Sequence, residues 1–214
     1  MTKFKICGLR DASMGLVAAK AGADYLGMVF VPGVRREVSI ETSKDIVETL
    51  VNNLGDEKPM TVGLFAGQPL NEINDIVSYI GLDFAQLCGN EPIEYCNGVS
   101  IPVIKQVKIP ENCVLDSLLK EIEIIVSSGH KVLMDKYEPG VAGGTGKTFD
   151  WNIAKLASEQ FEIILAGGLT PTNVAEAIRK VNPWCVDVSS GVESNGLKDS
   201  SKIIEFATSV KKSD

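Results

Sequence analysis

Eight short apolar runs recur along the chain, each followed by a stretch of a different periodicity, and this alternation limits the possible fold more than any other feature. The runs are Phe4–Gly8, Tyr25–Phe30, Thr61–Ala66, Phe84–Leu87, Val103–Val107, Lys131–Asp135, Glu162–Ala166 and Cys185–Ser189. Most are continuously apolar rather than alternating, which is the pattern of strands buried on both faces of a parallel sheet. Parallel neighbours need long crossovers, and helical patterns supply them. Ile73, Ile76, Val77 and Ile80 repeat at i, i+3, i+4, i+7, as do Leu115, Leu118, Leu119 and Ile122, then Val174, Ala177, Ile178 and Val181, then Ile203, Phe206, Ala207 and Val210. Gly22 and Gly81 stand where the first and third helices must stop. Glu91–Asn97 allows only a short fourth helix. Eight βα units without a linker or low-complexity tract predict an α/β fold, a single (β/α)8 TIM barrel over residues 1–214. An open doubly wound sheet is the alternative.

Composition narrows the function classes. At 214 residues and 44% hydrophobic content the chain can bury one full core. No apolar run approaches the ~18 residues of a membrane span, and Met1-Thr2-Lys3-Phe4 leads straight into a strand without a signal-peptide core. A cytoplasmic protein without a membrane partner is expected. Cys7, Cys88, Cys96, Cys113 and Cys185 are odd in number and form no C-x-x-C pair, so reduced thiols fit better than a disulfide framework. His130 is the sole histidine, and no His/Cys/carboxylate cluster suggests a metal site. A net charge of −7 argues against nucleic-acid binding. Any anionic ligand must be held by local groups against the overall field.

In a barrel, chemistry sits at the C-terminal ends of the strands. The seventh run ends in Gly167-Gly168, Thr170 and Pro171 start a helix, and the eighth run ends in Ser189-Ser190-Gly191. Two adjacent strand ends finishing in small residues can aim backbone N–H groups at one phosphate, so a phosphorylated small molecule is the expected partner. Cys7 ends the first run, Arg35 and Arg36 follow the second, Asp135 ends the sixth, and Asp187 precedes Ser189 on the eighth. One thiol, acids, arginines and a phosphate cradle thus face one mouth. The segment Gly140–Thr148 ends in Gly-Lys-Thr like a P-loop, but Val141 stands where that motif needs its first glycine. A cover over the mouth, with N–H groups at Gly144 and Gly146 added to the phosphate cradle, is the better reading; a plain connection is the alternative.

Lys5-Ile6-Cys7-Gly8, Gly143-Gly144-Thr145-Gly146-Lys147-Thr148-Phe149-Asp150-Trp151, Leu165-Ala166-Gly167-Gly168-Leu169 and Asp187-Val188-Ser189-Ser190-Gly191-Val192-Glu193 together resemble the phosphoribosylanthranilate isomerase family, in order and over essentially the whole chain. The resemblance implies a cofactor-free (β/α)8 enzyme of tryptophan biosynthesis that catalyses the Amadori rearrangement of N-(5′-phosphoribosyl)anthranilate, as a monomer or homodimer. It implies Cys7 as general base, Asp135 as general acid and Arg36 on the anthranilate carboxylate. Phosphate would be bound at Gly144, Gly146, Gly167, Gly168, Ser189, Ser190 and Gly191. The chemistry needs an acid to protonate the furanose oxygen and a base to take the C2′ proton, so Asp135 must sit where burial or charge raises its pKa. Arg35 could exchange roles with Arg36. Asp187 could brace the strand ends or bind sugar hydroxyls, and the latter is the role assigned here.

Departures stand beside the matches. Cys88 occupies a position that is usually histidine in the family, and Val34, Arg10 and Lys136 also differ from common family residues. Two rivals are weaker. Imidazole-carboxamide ribotide isomerases use an aspartate base on strand 1, where this chain has Cys7, and a phosphate-binding scaffold without activity would not need both Cys7 and Asp135.

Overall fold

A single parallel ladder closes on itself. The computed structural model describes residues 1–110, 112–136 and 150–213. Its strands are β1 (Lys3–Cys7), β2 (Tyr25–Val29), β3 (Met60–Phe65), β4 (Phe84–Leu87), β5 (Val103–Ile109), β6 (Lys131–Lys136), β7 (Ile163–Leu165) and β8 (Cys185–Val188). They pair in chain order, and β1 closes the barrel by pairing with β8, Lys5 lying opposite Asp187. The open-sheet alternative is thereby excluded. β5 and β6 run one or two residues further than the apolar pattern suggests, and β7 is shorter because Gly167 and Gly168 turn the chain at φ 87° and 66°.

The crossovers are α1 (Ala12–Ala21), α2 (Ile40–Leu54), α3 (Leu70–Ile80), α4 (Ile93–Asn97), α5 (Leu115–Ser127), α6 (Trp151–Ser158), α7 (Val174–Val181) and α8 (Ser200–Lys211). Asp11 caps α1 by accepting from the Met14 N–H, and Gly22 and Gly81 end α1 and α3 in the left-handed conformation at φ 94° and 79°. α7 starts at Val174, later than Thr170-Pro171 suggests. The Asn173 side chain accepts from the Thr170 N–H at 2.8 Å and donates to the Gly168 carbonyl at 2.9 Å, tying the intervening turn to the end of β7. A short antiparallel hairpin, β9 (Glu193–Ser194) with β10 (Leu197–Lys198), follows β8.

The core has two shells. The outer one joins strands to helices through residues such as Ile6, Leu26, Phe65, Ile73, Ile122 and Phe206. The inner one fills the barrel with Val62, Leu64, Ile104, Leu133, Ile164 and Cys185. At the N-terminal end of the strands Tyr25 packs edge-on to Phe84 (5.7 Å) and tilted against Trp184 (5.9 Å), while Lys3 and Lys131 lie over the Trp184 ring. The interior is plugged at that end, and barrels of this fold carry their chemistry at the other, C-terminal end.

Candidate active site

Alternation along β1 sends Lys5 and Cys7 into the barrel together. Lys5 is fully buried, and its Nζ lies 3.1 Å from both oxygens of Asp187. Burial alone would depress the Lys5 pKa, but the Asp187 carboxylate outweighs it, so the ammonium is held charged. Cys7 is 5% exposed. Burial pushes its thiol above the ordinary 9.0 and Asp187 adds to this, against the pull of Lys5 and Lys198. Its neighbour in register is Gly27, where a methyl group would lie 3.0 Å from the sulphur. The absent side chain leaves the thiol its room.

Asp135 comes from β6 on another side of the mouth. Its Oδ2 accepts from Gln106 Nε2 and its Oδ1 from the Lys136 N–H, both at 2.8 Å. Burial pushes the carboxyl up to about 6, and the charge of Asp187 adds to the push against those two hydrogen bonds. The chain at Gly167 passes so close that a methyl group there would stand 2.9 Å from Asp135 Oδ1. One glycine therefore brings the end of β7 against this carboxyl.

The loops after β7 and β8 meet. A side chain at Gly191 would overlap the carbonyl oxygen of Leu169, so Gly191 packs directly on the backbone that follows Gly167-Gly168. Ser190–Val192 form a single 3₁₀ turn. Ser189 Oγ donates to the Cys7 carbonyl at 3.0 Å, and Lys198 Nζ donates to the Ser189 carbonyl at 2.8 Å, so the eighth strand end is bound to the first. Gly144 and Gly146 lie outside the described residues.

Arg36 reaches back over Gly8 from the loop after β2; a methyl group at Gly8 would come within 2.5 Å of its Cδ. Its guanidinium donates to Glu193 through Nε at 2.6 Å and Nη2 at 3.3 Å. Arg35 is the more exposed of the two, and donates to Glu193 at 2.7 Å and to the Gly196 carbonyl at 2.8 Å. Among the described residues no group of His, Cys, Asp and Glu side chains is placed to hold a metal ion, and no helix is long and apolar enough to cross a membrane.

A family model described as N-(5′-phosphoribosyl)anthranilate (PRA) isomerase matches residues 4–209. The chain belongs to the phosphoribosylanthranilate isomerase family. Among the family's members, the N-(5′-phosphoribosyl)anthranilate isomerase of Dehalococcoides mccartyi is 40% identical over 217 residues, covering 100% of this chain and 98% of that one. The crystal structure of the Thermotoga maritima enzyme superposes with a TM-score of 0.86 at 35% identity, covering 99% of this chain and 100% of that one. A family structure in complex with reduced 1-(o-carboxyphenylamino)-1-deoxyribulose 5-phosphate gives a TM-score of 0.82 at 33% identity, with 99% and 100% covered.

Three site residues escape a reading of the isomerase sequence alone. Gln106 is a lone amide in the apolar run Val103–Val107, and its polarity at an inward position is the signal that marks it. Glu193 closes the Asp187–Glu193 motif, which draws attention to serines and glycine rather than to the acid. Lys198 has no local signal, since only the β9–β10 pairing brings it beside Glu193.

Proposed function

We propose that this chain, folded as one (β/α)8 unit, converts N-(5′-phosphoribosyl)anthranilate into 1-(2-carboxyphenylamino)-1-deoxyribulose 5-phosphate, with Asp135 as general acid and Cys7 as general base. The observation that carries the reading is the environment of Asp135. A carboxyl raised to about 6 by burial keeps its proton further towards neutral pH than an ordinary aspartate, and it shares a barrel mouth with a buried thiol. Asp135 gives its proton to the furanose ring oxygen as the C1′–O bond breaks, and the anilino nitrogen lone pair forms the iminium. Cys7, as thiolate, then takes the C2′ proton. The released electron pair neutralises the iminium to an enol-amine, which tautomerises to the ketone. The rearrangement is redox-neutral, C1′ being reduced as C2′ is oxidised.

The other assignments follow the charge of the substrate. Arg36 meets the anthranilate carboxylate. Backbone N–H groups around Gly167, Gly168, Ser189, Ser190 and Gly191 hold the phosphate, with Gly144 and Gly146 assigned to it from the sequence. Asp187, whose oxygens keep acceptor capacity beside Lys5, takes a sugar hydroxyl. The test is turnover of freshly prepared N-(5′-phosphoribosyl)anthranilate, followed as loss of anthranilate fluorescence. Turnover by the parent and its loss in Cys7→Ala support the reading, whereas an inactive parent overturns it.

A further inference from the structure

The Glu193 carboxylate collects three cations. Its Oε1 accepts from Arg36 Nε at 2.6 Å and Lys198 Nζ at 3.1 Å, and its Oε2 from Arg35 Nη2 at 2.7 Å and Arg36 Nη2 at 3.3 Å. Burial would raise its pKa, but these partners hold the acid down at about 2, so it is a permanent anion. The cluster nevertheless keeps an excess of positive charge in a chain whose net charge is −7.

The geometry of the Arg36 pair is specific. Glu193 takes the side-on edge of the guanidinium, formed by Nε and Nη2. Nη1 makes no hydrogen bond among the described residues, which leaves the end-on edge for another planar anion. The arginine stem is confined too, because it crosses Gly8 where no side chain intervenes. Glu193 is itself anchored: Lys198 bridges it to the Ser189 carbonyl, and Ser189 holds the Cys7 carbonyl. An arginine fixed in this way gives up little further side-chain freedom when it engages a ligand.

We propose that Glu193 is a positioning residue that fixes the plane of the Arg36 guanidinium, so that its free edge meets the ring carboxylate of the substrate and selects for substrates bearing that group. The proposal rests on the assignment of Arg36 made above. Glu193 touches no reacting atom, and its contribution is to recognition.

The experiment compares two probes by calorimetric titration: the reduced product analogue carrying the ring carboxylate, and the same compound built on aniline, without it. Glu193→Gln should weaken the carboxylate probe by roughly tenfold or more, leave the aniline probe nearly unchanged, and raise KM more than it lowers kcat. Glu193→Gln added to Arg36→Lys should do little further harm, because both changes break one unit. Equal weakening of both probes would mean that Glu193 merely braces the strand end, and tighter binding of the carboxylate probe would make it a competitor for Arg36; either overturns the proposal. Should Glu193→Gln fail to fold, Glu193→Asp keeps the charge but draws it back from Arg36, and the same selective loss is expected. If the parent does not distinguish the probes, the Arg36 assignment falls and this proposal with it. If the parent distinguishes them and the variants do so equally well, only the role of Glu193 falls.

Discussion

Lys5 and Asp187 form an ion pair inside the barrel, the ammonium 3.1 Å from each carboxylate oxygen, with side chains 0% and 8% exposed. Removing one partner strands a buried charge, so Lys5→Met or Asp187→Asn should each destabilise the protein by about 3–5 kcal/mol. Replacing both, in Lys5→Met with Asp187→Leu, should recover most of that loss. Urea unfolding measures all three. A refolded double variant that no longer binds product analogue would then separate the sugar-binding role proposed for Asp187 from its structural one.

Cys7→Ala and Asp135→Asn should each lower kcat by roughly 10²–10⁴-fold while the barrel stays folded. The acid titrates near 6 and the thiol above 9.0, so the productive pairing of protonated acid and ionised thiol is a minor form. The kcat/KM profile should rise with pH to about 6, run flat, and fall only in alkaline solution. In Asp135→Asn the residual rate should climb through pH 6 without a break. A profile in Asp135→Asn that keeps its break near 6 would assign that limb to another group.

The same aspartate weakens the fold at neutral pH. Its pKa is raised from the ordinary 3.8 to about 6, so between these values the native state binds more protons than the unfolded state, and stability falls as pH rises. Asp135→Asn lacks this titration. At pH 8 it should be more stable than the parent by on the order of 1–3 kcal/mol, and the difference should shrink towards pH 4. Thermal melts at the two pH values decide the matter, and an asparagine variant less stable at pH 8 would contradict the origin of the shift.

Gly191→Ala should loosen the contact between the loops after β7 and β8, because its methyl group would overlap the Leu169 carbonyl oxygen. Backbone must move where no side chain can yield. Binding of inorganic phosphate should weaken and KM should rise, with kcat less affected; unchanged phosphate affinity would remove these loops from the cradle.

The Cys88 thiol accepts from Gln86 Nε2 at 3.4 Å, and burial pushes it up to about 12. A thiol held so firmly protonated is a poor base, so Cys88→Ala should leave kcat close to the parent value. Cys88→His, which restores the residue common in the family, should keep or raise kcat/KM. Loss of turnover in Cys88→Ala, with turnover retained in Cys7→Ala, would transfer the base role to β4.

The barrel was legible because strands buried on both faces write continuous apolar runs, and because Gly22 and Gly81 mark where helices must end. Cys7, Asp135 and the Gly167-Gly168 pair could be singled out as candidates because they stand at strand ends, where barrels of this fold carry their chemistry. The Lys5–Asp187 pair was not, since these residues are 182 positions apart and meet only through the register of the closing strands. The true start of α7 was hidden for a local reason. Asn173 folds its side chain back onto Thr170 and Gly168, a competition that periodicity does not register. Glu193 and Lys198 escaped because their meaning lies in the short β9–β10 pairing.

Closure of β1 onto β8 also sets an order of events during synthesis. A chain emerging from the ribosome N-terminus first presents β1 before the other strands, yet the second neighbour of β1 is the last strand of the barrel. Until Asp187 and Ser189 arrive, the Lys5 ammonium and the Cys7 carbonyl have none of the partners that β8 brings. The Cys7 thiol, proposed above as the base, is thus made well before the strand that completes its surroundings. A nascent or truncated chain lacking β8 carries Cys7 without its finished site, so catalytic competence reports arrival of the last strand.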